Sequence, residues 1–442
     1  MAASPVRSGA AVVTAAALFA TLAPAGAQEA VTLRETHTAG AQFAVSSRVE
    51  VTGTLTLPLE KGETTPRTLN VTGSSAVDYH ERLLTIGDDK QVSKTIRVYK
   101  KLEFQRKVGD QPQQSALRPE VRRLVVLRHN QVEVPFSPDG PMTWNELDMI
   151  RTDVFAPALT GLLAEGPVKV GDTWKAAAFA VQELTDLDRI DEGGLTCKLE
   201  QLATVAGRKH ARIGFTGSVR GIGEDGPTKH ALDGYLFFDL EANHVSYVSM
   251  TGVQHMLDKD GKTIGKIEGT FVLTRRPEQL KELSDAALAG VKLEPSEENT
   301  QLLYDNPEMG VKFLHPRRWR VAGVRGPQIA LDENAGHGLL MTVEPLKQIP
   351  TAMQFLQESK GWLEQQKAKI LKVEQPKQIQ AGPRSVEQFS LEVDISGQKV
   401  LMVYLVLRQG KTGATVAARV LPQQQALILQ DIERIAKSVQ LP

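Results

Sequence analysis

From Phe43 to Leu57 the odd positions read Phe, Val, Ser, Val, Val, Gly, Leu, Leu, and the even positions between them are polar or small. Period two sustained over this length predicts a β-strand with one dry face, about 50 Å long at ~3.3 Å per residue. The same alternation returns in Ile96, Val98, Leu102 and Phe104, in Ile213, Phe215 and Val219, and in Ile267, Phe271 and Leu273. Strands of this kind belong to antiparallel sheets. Turn sequences at Gly87-Asp88-Asp89, Glu224-Asp225-Gly226-Pro227 and Asp258-Lys259-Asp260-Gly261 separate such runs.

Helical spacing interrupts the strands at a few places. Thr143-Trp144-Asn145-Glu146 has the form of a capping box, and Leu147, Ile150 and Val154 then share a face until Pro157 kinks or ends the helix. A long sheet with one apolar face, beside a helix over about residues 144–165, predicts a half-barrel wrapped on that helix. Pro277 is expected to open a second helix carrying Leu280, Leu283, Ala287 and Val291, followed by a polar linker, KLEPSEENT, at 292–300. The fold class expected is α+β, in four parts: a leader at 1–27, a sheet region at 28–276, the helix and linker at 277–300, and a second domain at 301–442.

The second domain opens with Leu302 and Leu303, a turn at Asp305-Asn306-Pro307-Glu308, then Gly310, Val311, Phe313, Pro316 and Trp319. This order of residues resembles the opening of the PsbP-like family, named for an extrinsic protein of photosystem II. The later order is similar too: a helix over Thr351 to Val373 with Phe355, Leu356, Trp362, Leu363, Ile370 and Leu371 on its stripe, strands near Val386 to Ile395, Val400 to Arg408 and Gly413 to Val420, and a closing helix with Leu427, Ile428, Ile432, Ile435 and Val439. The resemblance implies an antiparallel sheet sandwiched by helices, used for docking onto other proteins. Phe313 and Trp319 then belong to the core. In the first region, Pro167-Val168-Lys169-Val170-Gly171-Asp172-Thr173-Trp174 is similar to a passage of uncharacterised secreted bacterial proteins, and the layout is similar to lipoprotein carriers of the envelope.

The N-terminus sets an address. Arg7, the Ala-rich apolar run at 9–23 and Ala25-Gly26-Ala27 predict an export signal cleaved after Ala27, in a run shorter than the ~20 residues of a membrane span. No cysteine stands at the cleavage point, so a free periplasmic or extracellular protein is expected. The single Cys197 alternates with Leu195 and Leu199 and reads as a buried thiol. Residues 28–300 hold 33 Lys and Arg against 39 Asp and Glu, a balance of −6, while residues 301–442 hold 18 against 13, a balance of +5. That asymmetry suits an anionic partner or mutual docking of the two regions, and is too weak for nucleic acid.

Local motifs of chemistry fail on context. Gly221-Ile222-Gly223-Glu224-Asp225-Gly226 spells GxGxxG, but the strand-like ALDGYLFFDL follows where a phosphate loop needs a helix. Asp258 to Gly261 has the wrong spacing for a calcium loop. In Tyr79-His80-Glu81-Arg82 the adjacent His and Glu point to opposite faces of a strand. The nine histidines form no metal-binding spacing. No catalytic, cofactor or metal residues are assigned. Arg317, Arg318 and Arg320 are the candidate partner-binding residues, read as charges beside a surface turn. Three functions stay open: docking onto a protein partner of the envelope without catalysis, carriage of a lipid or other apolar small molecule in the half-barrel, and hydrolysis by a site without local motif.

Overall fold

A computed structural model describes residues 30–57, 65–129, 132–224, 226–381 and 384–441. The expected export signal and Asp225 lie outside them. The first region is built from β1 (Gln42–Thr56), β2 (Thr68–Ile86), β3 (Val92–Val108), β4 (Gln111–Ala116), β5 (Arg123–His129), β6 (Val132–Phe136), β7 (Thr173–Lys175), β8 (Arg189–Val205), β9 (Arg208–Gly223), β10 (Gly226–Asp239), β11 (His244–Leu257) and β12 (Thr263–Pro277). They make one antiparallel sheet in the order 6-5-3-2-1-12-11-10-9-8-7, with β4 hydrogen-bonded to β3. The sheet is open: β6 and β7 are its two ends.

The face of this sheet that carries the odd positions of β1 packs on the segment between β6 and β8. That segment holds α1 (Trp144–Arg151), a 3-10 turn (Ala156–Leu162) and α2 (Ala178–Thr185). The expected capping box starts α1: the Thr143 hydroxyl accepts from the Glu146 amide at 3.2 Å, and the Glu146 carboxylate accepts from the Thr143 amide at 2.7 Å. Pro157 sits in the first turn of the 3-10 segment, where its missing N–H costs nothing. Ile150, Phe155, Leu159 and Leu162 are buried against Val77, Leu199, Ile213, Phe215 and Leu273 of the sheet. Cys197 is buried in the same cluster, and burial pushes its thiol up to about 12.

Two features shape the sheet. Across it runs one register row, Gly73–Val51–Gly269–Gly252–Leu232–Gly217, in which four of six strands contribute no side chain. A Cβ on Gly269 would come within 2.9 Å of the Val51 side chain, and one on Gly252 within 2.8 Å of the Leu232 side chain. Val51 and Leu232 thus spread over the gaps beside them. The second feature is a bulge in β3. Val77 pairs with Leu102 but Tyr79 with Tyr99, so β3 has one extra residue, Lys100, and its inward parity changes there. Leu102 and Phe104 pack in the main core, whereas Ile96 and Val98 point to the opposite face with Val125, Phe136, Leu283 and Leu288. The alternation read across Ile96, Val98, Leu102 and Phe104 therefore belongs to two faces.

The helix expected from Pro277 is absent. β12 runs to Pro277, and after it come a 3-10 turn at Lys281–Leu283 and α3 (Asp285–Leu288). Ser284, extended, breaks the path and caps α3 by accepting from the Ala287 amide, and Gly290 turns the chain at a positive φ. Leu280, Leu283 and Leu288 are instead pinned one by one to the back of β2, β3 and β5.

Past the linker, β13 (Leu302–Asn306) and β14 (Val311–His315) form the expected hairpin as a two-stranded sheet. A seven-stranded antiparallel sheet follows, made of β15 (Trp319–Arg325), β16 (Gln328–Glu333), β17 (Gly338–Pro345), β18 (Lys369–Ala381), β19 (Arg384–Ile395), β20 (Gln398–Gln409) and β21 (Thr412–Val420), in the order 15-16-17-21-20-19-18. α5 (Gln425–Ser438) covers one face with Ile428, Ile432 and Ile435, together with Phe313 and Trp319, which are buried as expected. α4 (Ala352–Gln365) covers the other with Leu356 and Leu363 against Phe389, Leu391 and Val406. Its expected continuation to Val373 fails because Lys367 turns left-handed, and Ile370 and Leu371 lie in β18. Sheet predominates over helix in this α+β chain, and no described helix is long and apolar enough to cross a membrane.

The packing makes Leu159 a test of the main core. Leu159→Ala is expected to lower unfolding free energy by ~2–5 kcal/mol in urea titration; a loss under about 1 kcal/mol would mean that the inner segment does not carry the sheet.

Candidate functional site

The three arginines singled out from the sequence are engaged within the chain rather than standing free at a surface turn. The hairpin β13–β14 is drawn against the first region: Leu302 sits in that region's core, and the Leu303 amide donates to Met142 O at 2.7 Å. This brings the Pro316–Arg320 turn up to the first sheet. Arg317 donates from Nε to Thr300 O at 2.8 Å and from Nη2 to Pro135 O. Burial, with Arg151 nearby, pulls it down to about 10. Arg318 pairs with Asp431 at 2.8 Å, and the same carboxylate accepts from Trp319 Nε1 at 3.1 Å. Arg320 lies 4.5 Å from the Trp144 ring centroid and donates to Glu224 at 2.8 Å. Glu224 also faces Arg151 at 3.5 Å. The GxGxxG string is a hairpin between β9 and β10, as its context indicates, and its Glu224 links α1 to the second region.

Beneath that link a polar cleft of about 420 Å³, reached by Arg106, Asp148, Gln254 and Arg320, adjoins a second cavity of about 240 Å³ reached by Glu133, Asp153 and Glu183. Arg151, Thr152 and Asp186 line both. Behind them lies a buried ionic cluster. Arg97, fully enclosed, donates from Nε to Glu81 at 2.9 Å and from Nη1 to Tyr99 Oη at 3.1 Å and Asp153 at 3.3 Å. Its guanidinium lies 4.6 Å from the Tyr79 ring centroid and 5.4 Å from that of Phe155. Arg128 meets Glu183 at 2.5 Å and Glu133 at 3.8 Å. The bulge at Lys100 makes this possible, since it turns Arg97 and Tyr99 inward toward Tyr79 and Glu81. As neighbours on a strand must, His80 and Glu81 point apart: His80 reaches Glu278 at 2.9 Å, away from Arg97. The pairing of Glu81 with Arg97 has no signal in the sequence, because a one-residue bulge leaves no mark in composition or period.

Four carboxyl groups thus face two guanidiniums. Burial raises Asp153 to about 7 against the pull of Arg97, with Glu81 and Glu183 adding to the rise. Burial and the neighbouring Glu183 raise Glu133 to about 8. Glu183 is also raised, again by burial first. No group of three or more His, Cys, Asp or Glu is arranged to hold a metal ion among the described residues.

A different surface lies in the second region. Between α4 and strands β16, β17, β20 and β21 is a groove of about 530 Å³ lined by Leu339, Leu340, Phe355, Trp362, Met402 and Tyr404. Trp362 is 53% exposed and Leu340 39%, whereas Phe389 and Tyr404 stack below with ring centroids 4.8 Å apart at 12°, and Phe355 meets both edge-on. Trp362 was read as part of the helix's core stripe. That stripe is wider than the contact α4 makes with the sheet, and its far edge is left in solvent.

The raised carboxyls give the ionic cluster a pH signature. Between about pH 4, where these groups titrate in the unfolded chain, and their folded values, the folded state holds more protons, so its stability falls as pH rises through that window. Glu133→Gln keeps the protonated shape without the charge. Its melting temperature is expected to fall less than that of the unsubstituted protein between pH 6 and pH 9; parallel curves would show that Glu133 ionises normally.

No protein-family model matches the chain, and no curated protein matches it. Among solved structures, it is similar to cyanobacterial PsbP (CyanoP) from Synechocystis sp. PCC 6803, at 12% identity over 32% of this chain and 92% of that one, with a TM-score of 0.27. It is also similar to lipovitellin, at 8% identity over 55% of this chain and 26% of that one, with a TM-score of 0.30. A third is DynF from the dynemicin biosynthesis pathway of Micromonospora chersina, at 8% identity over 58% and 89% of the two chains, with a TM-score of 0.15. Each likeness is weak, and none bears on what the chain does.

Proposed function

We propose that the protein is a non-catalytic binding protein, exported to the cell envelope as its N-terminal leader pattern indicates, that docks a protein partner in the groove beneath Trp362. The observation that carries this reading is the exposed tryptophan over an apolar groove of about 530 Å³. Leaving more than half of an indole in water gives up apolar burial that a partner's side chain would restore. Tryptophan set in an apolar surround is also the residue type that anchors protein interfaces most strongly. The basic residues Arg317, Arg318 and Arg320 already have partners inside the chain, so docking through them would first have to break those contacts. The interior of the first sheet is filled at α1 and α2 by the chain's own side chains.

Selection of displayed linear peptides on the full chain tests this. Peptides with an aromatic or large aliphatic anchor are expected to be enriched, and Trp362→Ala should weaken the selected peptide by more than tenfold, a loss of about 1.4 kcal/mol or more, without lowering the melting temperature. Enrichment that survives Trp362→Ala, or none at all, would sink the reading.

A further inference from the structure

We propose that a further cavity, at the end of the first sheet away from the Glu224 link, binds a free single-chain amphiphile with an anionic head. Four stretches of chain meet around this cavity of about 570 Å³: the strap at 34–37, the tip of the β2–β3 hairpin, the end of the 3-10 turn, and residues 174–179. Its apolar wall is Ile86, Leu163, Trp174 and Phe179. Trp174 is fixed in place, donating from Nε1 to Leu162 O at 3.0 Å. Phe179 is held by close packing on Gly161, where a Cβ would come within 2.7 Å of its ring. The strap is tied down by paired backbone bonds between Val31 and Val168 at 2.8 and 2.9 Å.

The charges at this cavity are unequal. Glu35 is buried, and although burial works to raise it, the neighbouring Arg275 with His37 carries it below its ordinary value; it is already paired with Arg275. Of the remaining charged side chains, Arg34, Lys90 and Lys175 are cationic and Glu165 is anionic. Arg34 and Lys90 have no ion-pair partner among the described residues, and Lys175 donates to Thr196 at 2.8 Å. Lys90 is placed by a left-handed turn closed by its amide on Gly87 O at 2.9 Å. His37, whose side chain is 4% exposed, lines the cavity with Nε2 buried and without a hydrogen-bond partner.

These features select one chemistry. A neutral apolar molecule would use the wall and leave the cations idle, and a cationic amphiphile would meet like charge. An anion with an apolar tail matches both the wall and the rim, and the volume falls within the roughly 300–1,000 Å³ of small-molecule sites. The site is distinct from the Trp362 groove, so either can fail without the other.

The experiment is calorimetric titration of the full-length mature chain with dodecanoate, dodecanol and dodecyltrimethylammonium, each below its aggregation concentration. Dodecanoate is expected to bind at one saturable site at least tenfold more tightly than the other two. The double variant Lys90→Glu, Lys175→Glu, at exposed positions, should lose that preference while keeping its melting temperature. Trp362→Ala should leave dodecanoate binding unchanged. Absence of saturable binding, equal affinity for all three heads, or loss of binding in Trp362→Ala would each overturn the proposal. So would sedimentation with phosphatidylglycerol vesicles in the absence of dodecanoate binding, which would assign the basic rim to a membrane surface.

Discussion

A guanidinium with no water around it dictates how the first region is put together. Arg97 must be surrounded by acceptors, and its acceptors come from β2, from β3 and from the chain just past α1. A buried cation left without them would cost several kcal/mol, whereas the complete arrangement gives little net stability over an apolar core. Its effect is therefore on specificity. Only one register of β2 on β3, with one bulge, brings Glu81 and Tyr99 to Arg97, and only one position of the inner segment brings Asp153. The Tyr79 and Phe155 rings lie 4.6 and 5.4 Å from the guanidinium, and Nη2 is left buried without a hydrogen-bond partner among the described residues.

The excess of carboxyl groups over guanidiniums follows from the same enclosure. Burial weakens solvent screening of the surplus charge and raises Asp153 and Glu133 to values near neutrality. The second region is joined on by polar contacts of another kind. Arg317 reaches two backbone oxygens, while Arg320 and Arg151 share Glu224 in a more exposed setting where each pair contributes modestly. The mild opposition of charge between the two parts of the chain is spent partly on these contacts.

Strands with a long period of two were legible in the sequence: β1 and the hairpins around the Asp-Gly turns stand where the alternation put them, and so does the β13–β14 hairpin. Capping chemistry located α1 because Thr143 and Glu146 are three residues apart and local. What was lost depends on the rest of the fold. A single extra residue at Lys100 reverses the faces of β3, and nothing nearby in the sequence marks it. Leu280, Leu283 and Val291 have helical spacing, but tertiary pockets take them singly. Arg317, Arg318 and Arg320 look like surface charge until a hairpin swings them onto another region. Of the candidate groove, Phe355 and Trp362 were visible as an apolar stripe, yet the width of the sheet beneath α4 decides which of them is covered.

The glycine row from Gly73 to Gly217 gives the first sheet an internal boundary. Each strand crosses it as continuous backbone, and the strand pairing continues in register on both sides of it. Side-chain packing at the row rests on Val51 and Leu232 alone, because its other four positions carry no side chain. Bending resistance in a sheet comes largely from those side-chain layers, so this row acts as a crease. The part of the sheet holding the ionic cluster and inner segment can stay rigid, while the part beyond the crease is free to take its own curvature.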